Sequence, residues 1–161
     1  MDESCTALDA LSGFLRVLSV AGLGVFLGAM LTEGFVLVPY WRSLPPSDFF
    51  SWYAANDRRL LGFFGPVTAI AALLTAAAAG ASLWARDPGR WFALLAAALL
   101  VTVVLMFSAY FRQANASFAA ATIGEAELPG ELVRWARWHY VRTALSLGAL
   151  AAALLSLRGA L

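Results

Sequence analysis

The chain has 161 residues, 61% hydrophobic and only 13% charged, with a formal net charge of +1. A soluble domain carries about a quarter charged residues, so this composition excludes an ordinary soluble enzyme. The charge balance gives no sign of a nucleic-acid partner, so none is expected, and the lone Cys5 excludes an internal disulfide.

Four apolar runs tile the chain, each near the roughly 20 residues that cross a hydrocarbon core. They predict an all-α protein, a transmembrane four-helix bundle running up-down-up-down, as a single domain over residues 1–161. The spans are expected at 11–39, 60–84, 91–118 and 130–157. The N-terminus carries Asp2, Glu3 and Asp9 instead of a basic region. The first run lacks a small-residue cleavage pattern, so it is expected to be a retained span. Gly24 and Gly28 stand in GxxxG spacing within it, which predicts close helix contact. Pro39-Tyr40-Trp41-Arg42 marks a headgroup boundary.

The first loop, 43–59, opens Pro45-Pro46-Ser47-Asp48. Ser47 or Asp48 is expected to cap a short interfacial helix that carries Phe49, Phe50, Trp52 and Tyr53. Pro66 is expected to kink the second span. Residues 86–90 read as a tight turn between Trp84 and Trp91. The third span outruns its apolar stretch to reach Arg112, Gln113 and Asn115, and the fourth starts near Pro129 with polar and aromatic opening turns. Arg42, Arg58, Arg59, Arg112, Arg134, Arg137 and Arg142 fall at one end, against Arg16, Arg86, Arg90 and Arg158 at the other. That asymmetry places loops 1 and 3 in the cytoplasm.

The scarce ionisable residues gather at the same end. Glu33 lies six residues before Pro39, about 9 Å inside the boundary, and Arg142 lies four past Trp138, about 6 Å inside. Arg112 and Asn115 close the third span there, and Asn56, Arg58 and Arg59 open the second. Trp135, His139 and Arg142 follow i, i+4, i+7 spacing and share one helix face. An ionised carboxylate in hydrocarbon must face protein, pair or take a proton. Glu33 is therefore either a pocket acid–base or half of a buried pair with Arg142 or Arg112 that fixes helix register. His139, the only histidine, is either a base near neutral pH or an interfacial imidazole bonded to backbone. Arg134 and Arg137 read as snorkelling interface arginines.

One His and one Cys do not make an ordinary zinc, copper or haem site, and the paired Glu-x-x-His motifs of a di-iron bundle are absent. No metal and no cofactor are expected. Four spans are few for a secondary transporter, unless copies associate, and a homo-oligomer stays open.

The run from Arg134 to Arg142, with Trp135, His139 and Arg142 in it, resembles the fourth-helix signature of a bacterial four-helix membrane family of unknown function. That family is related to the anthrone oxygenases of fungi. Glu33-Gly34 leading to Val38-Pro39-Tyr40-Trp41, then Phe64-Gly65-Pro66 and Asn115, are similar too. The resemblance implies a bacterial inner-membrane protein that oxygenates a lipophilic polycyclic aromatic of anthrone type, or a quinone, without a bound metal or flavin. It implies His139 or Glu33 as base, with Arg142 and Asn115 holding the enolate oxygen. Trp135, Trp41 and Tyr40 would stack on the ring, with Arg112 and Asn56 nearby. The expected partners are membrane lipids and a lipophilic small molecule. The alternatives are a non-catalytic lipid- or quinone-binding or accessory protein, and a purely structural polar cluster.

Overall fold

A computed structural model describes residues 3–159, with side chains from 7 to 158. Asp2 and the side chains of Glu3 and Cys5 lie outside the described residues. Four helices account for nearly all of the chain, and no strand occurs among the described residues. Helix α1 covers residues 3–43 and is interrupted by a π-helical turn at Glu33–Leu37. Helix α2 covers Pro46–Trp84. Helix α3 covers Arg90–Ala119, with a second π-helical turn at Phe107–Phe111. Helix α4 covers Leu128–Ser156.

The connections are short, so neighbouring helices run antiparallel. Each packs chiefly on the two beside it, in the ring α1–α2–α3–α4–α1. Leu44 and Pro45 are extended, as residues before a proline must be, and Pro46 then starts α2 with its missing N–H at no cost. The helix expected over Phe49–Tyr53 is therefore present but not separate: it forms the first turns of α2, and neither Ser47 nor Asp48 caps it. Pro66 sits inside α2 without interrupting it.

Two non-glycine residues stop helices in the left-handed conformation. Arg86 (φ 54°) ends α2 and Ala121 (φ 49°) ends α3. In each case the next N–H reaches back to a carbonyl five residues earlier, Asp87 to Ser82 and Thr122 to Ser117, which satisfies carbonyls the helix end leaves free.

The outside of the bundle is apolar. Phe14, Val25, Phe35, Leu61, Leu73 and Leu105 are all more than half exposed. A face of this kind suits lipid and not water. Helices α1, α2 and α3 have the length and apolarity of membrane spans. Helix α4 falls short of that standard, because Arg134, Arg137, His139 and Arg142 occupy its first half. The bundle is thus compatible with membrane insertion, with three helices of span character where the sequence predicts four.

The expected GxxxG contact does not form. A Cβ on Gly24 or Gly28 would meet nothing within 4 Å, since both face outward. The close approach is made two residues earlier. Gly22 lies over Ala71, where an added Cβ would be 3.1 Å from Leu74 Cδ1. Alongside it run two polar contacts between α1 and α2, Ser12 Oγ with Ser82 Oγ (3.3 Å) and Ser19 Oγ donating to Thr75 Oγ1 (3.1 Å).

At the end of the bundle near the α2–α3 turn, Arg16 is buried and bound through both terminal nitrogens to Asp87 (3.0 and 2.6 Å). It also donates to the Ser156 carbonyl, so one guanidinium ties α1, the α2–α3 turn and the end of α4. Gly89 packs directly on that carbonyl, where any Cβ would clash. Asp87→Asn leaves the guanidinium without its counter-charge. It is expected to cost about 2 kcal/mol, read as a lower thermal midpoint in detergent.

Candidate functional site

The polar cluster sits at the opposite end, near residues 44–45 and 120–127. Both π-helical turns lie beside it. Such turns add a residue to the helix and re-aim side chains, often at functional sites. The first begins at Glu33, which is turned into the bundle and 5% exposed. The second ends just before Arg112.

Arg142 crosses from α4 to α1 and donates from Nη2 to Glu33 Oε2 at 2.7 Å. Its Nε and Nη2 also lie 3.1 and 2.9 Å from His139 Nδ1. A guanidinium only donates, so Nδ1 is the acceptor and the ring proton sits on Nε2. That nitrogen donates to the Met30 carbonyl at 2.9 Å. His139 is thus a neutral imidazole with both nitrogens engaged, and Glu33 Oε2 stands 3.4 Å from Nδ1. The approach depends on Gly34, where a Cβ would be 2.9 Å from His139 Nε2.

Aromatic rings fix the cluster from behind. Trp135 stacks on His139 (centroids 5.2 Å, planes 7° apart) and donates from Nε1 to Asn115 Oδ1 at 2.9 Å. The Asn115 amide NH₂ takes part in no hydrogen bond among the described residues. The Arg142 guanidinium lies 4.0 Å from the centroid of Phe111, a cation–π contact in a dehydrated setting. Trp41, fully buried, packs edge-on against Trp135 at 5.3 Å.

In front of the cluster is a cavity of about 480 Å³, a size typical of small-molecule sites. Glu33, Asn115, Arg112 and Arg142 line it, with Tyr53 and Asp57 from α2. Its exposed lining residues include Leu61 and Ala69 of α2 and Arg112 and Ala116 of α3, so the mouth lies between these two helices. Glu33 Oε1 and Arg142 Nη1 take part in no hydrogen bond among the described residues.

The residues singled out from sequence therefore divide into three groups. Glu33, Arg142, Asn115 and Arg112 reach the cavity. His139, Trp135 and Trp41 lie behind its wall. Tyr40 is exposed against Trp52, and Asn56 donates to the Trp52 carbonyl, so both are off the cavity. Tyr53 and Asp57 were not predicted as site residues. Their signal is the i, i+4 spacing with each other that continues through Leu61, Gly65 and Ala69 once α2 is read as one helix from Pro46. No group of three or more metal-ligating side chains occurs among the described residues.

A family model described as anthrone oxygenase matches residues 49–152, which takes in most of α2, all of α3 and most of α4. No curated protein and no solved structure matches the chain.

Proposed function

The chain belongs to the anthrone oxygenase family, and on that premise we propose that it oxidises a lipophilic anthrone-type aromatic to the corresponding quinone with O₂. The observation that carries this reading is one cavity wall lined by Glu33, Asn115 and Arg142, whose Oε1, Nδ2 and Nη1 take part in no hydrogen bond among the described residues.

Glu33 Oε1 is the base in this reading. It removes a proton from the methylene carbon between the aryl rings. The electron pair passes into the ring system and onto the ketone oxygen. Asn115 Nδ2 and Arg142 Nη1 donate to that oxygen as its negative charge grows. The electron-rich carbanion reduces O₂ and combines with it, forming a C–O bond and, with one proton, a hydroperoxide. Loss of water, with the second methylene hydrogen leaving as a proton, gives the quinone. One O₂ is consumed, and its two atoms end in the new carbonyl and in water. His139 holds Arg142 in place and does not touch substrate.

The setting is a bacterial inner membrane, as a single domain over residues 1–161. Arg16 and Arg142 are paired inside the bundle, so they do not signal orientation. The exposed arginines that remain still favour loops 1 and 3 on the cytoplasmic side.

The test is purified protein in lipid nanodiscs, given anthrone in air, with quinone absorbance and O₂ uptake followed against protein-free nanodiscs. Rates well above the spontaneous oxidation are expected. If the corresponding anthraquinone binds but anthrone is not turned over, the protein is a quinone-binding module, since the same two donors serve a quinone carbonyl.

A further inference from the structure

The residues that line the cavity are spread along the helices over more than the length of a fused tricycle. Along α2 the lining positions run from Tyr53 to Ala72, about 28 Å of helix at its rise per residue, and along α3 from Ala119 back to Val103. Its polarity is one-sided. Every charged side chain on its wall lies at the end near residues 44–45 and 120–127, and so does Asn115. Below Glu33 the wall is apolar except for Thr68, whose hydroxyl is turned back to the Phe64 carbonyl (2.7 Å). Small residues, Gly65, Ala69 and Ala72, keep this lower part open on the α2 side.

We infer that the substrate is an amphiphile: a hydroxyaromatic ring seated among Glu33, Asn115 and Arg142, bearing an alkyl or prenyl chain laid down the α2–α3 cleft. The reading of the ring rests on the oxygenase proposal, whereas the chain rests on the length and polarity of the cavity. The orientation matches that of a lipid. The polar end of the cavity includes the exposed Arg112 and lies on the side of the bundle where Trp52 packs on Tyr40 and Trp41, residue types that sit at headgroup depth. The apolar end points toward the middle of α2 and α3. A ligand entering sideways from the bilayer thus keeps its polar ring at the interface and its chain in hydrocarbon throughout.

The experiment uses two photoreactive probes that are not oxidised in the assay, so it is blind to turnover. One is 1-naphthol with a diazirine on a short ring substituent, and the other carries the diazirine at the end of a decyl chain. The full chain in nanodiscs is irradiated and its peptides are mapped. The short probe is expected to label residues 112–119, and the decyl probe residues 64–72 and 100–104. Excess unlabelled decyl-naphthol should lower both at least tenfold. Ala69→Phe and Val104→Phe, on opposite walls of the lower cleft, should each lower decyl labelling there at least fivefold. Decyl labelling confined to outward side chains such as Leu73 and Leu105, or surviving the competitor, overturns the chain site. A chain site without anthrone turnover leaves the amphiphile's chain site standing and removes the oxygenase reading with its ring, and anthrone turnover without a chain site does the opposite.

Discussion

Glu33→Gln is expected to slow anthrone oxidation by about 10²- to 10⁴-fold while anthraquinone still binds. The replacement has nearly the shape of Glu, and its amide oxygen still accepts from Arg142 Nη2 where Oε2 does so at 2.7 Å. What it loses is the basic oxygen on the cavity wall. The chemical step, kcat, should therefore fall far more than affinity. His139→Ala serves as the comparison. The imidazole has both nitrogens committed, to Arg142 and Met30, and lies behind the wall. Its removal lets the guanidinium swing, so it should weaken oxyanion binding and leave much of the proton abstraction intact. A rate that is unchanged in Glu33→Gln and lost in His139→Ala would sink the assignment of Glu33 as base.

Much of this site was legible in the sequence because the membrane reading made charge scarce. Among so many apolar residues, Glu33 and Arg142 each needed a partner, and their depths from Pro39 and Trp138 matched across antiparallel helices. The structure joins them. Periodicity on α4 likewise put Trp135, His139 and Arg142 on one face, and all three are buried together. Which face of each group meets empty space was not legible. Cavities depend on how far helices stand apart, and that is decided by residues of several helices at once. The π-helical turn at Glu33 was invisible for a related reason, since no local residue preference marks it.

The start of α2 shows a different limit. Pro45-Pro46 reads as a loop opening, and Asn56-Asp57-Arg58-Arg59 reads as another boundary. Splitting the helix there hid the stripe that runs from Tyr53 and Asp57 to Ala69. Arg16 was hidden by its own charge. It was counted as a signal of orientation, whereas its partner, Asp87, lies 71 residues away in a turn.

Arg142→Met is expected to destabilise the bundle by about 3–5 kcal/mol, because it strands the Glu33 carboxylate in a dehydrated site. Glu33→Leu with Arg142→Met should cost less than Arg142→Met alone. Removing both charges also removes the desolvation that each one requires, and apolar residues of similar size often replace a buried pair at no loss. Thermal or denaturant unfolding of the two single variants and the double variant in one detergent measures this coupling. Additive costs would mean that the 2.7 Å contact is energetically idle. The expected non-additivity carries a functional consequence. If an apolar pair holds the helices nearly as well as Glu33 and Arg142 do, packing alone does not account for their presence on a cavity wall. A carboxylate that takes a proton and a guanidinium that steadies an anion do account for it, and the double variant should then be folded and without anthrone turnover.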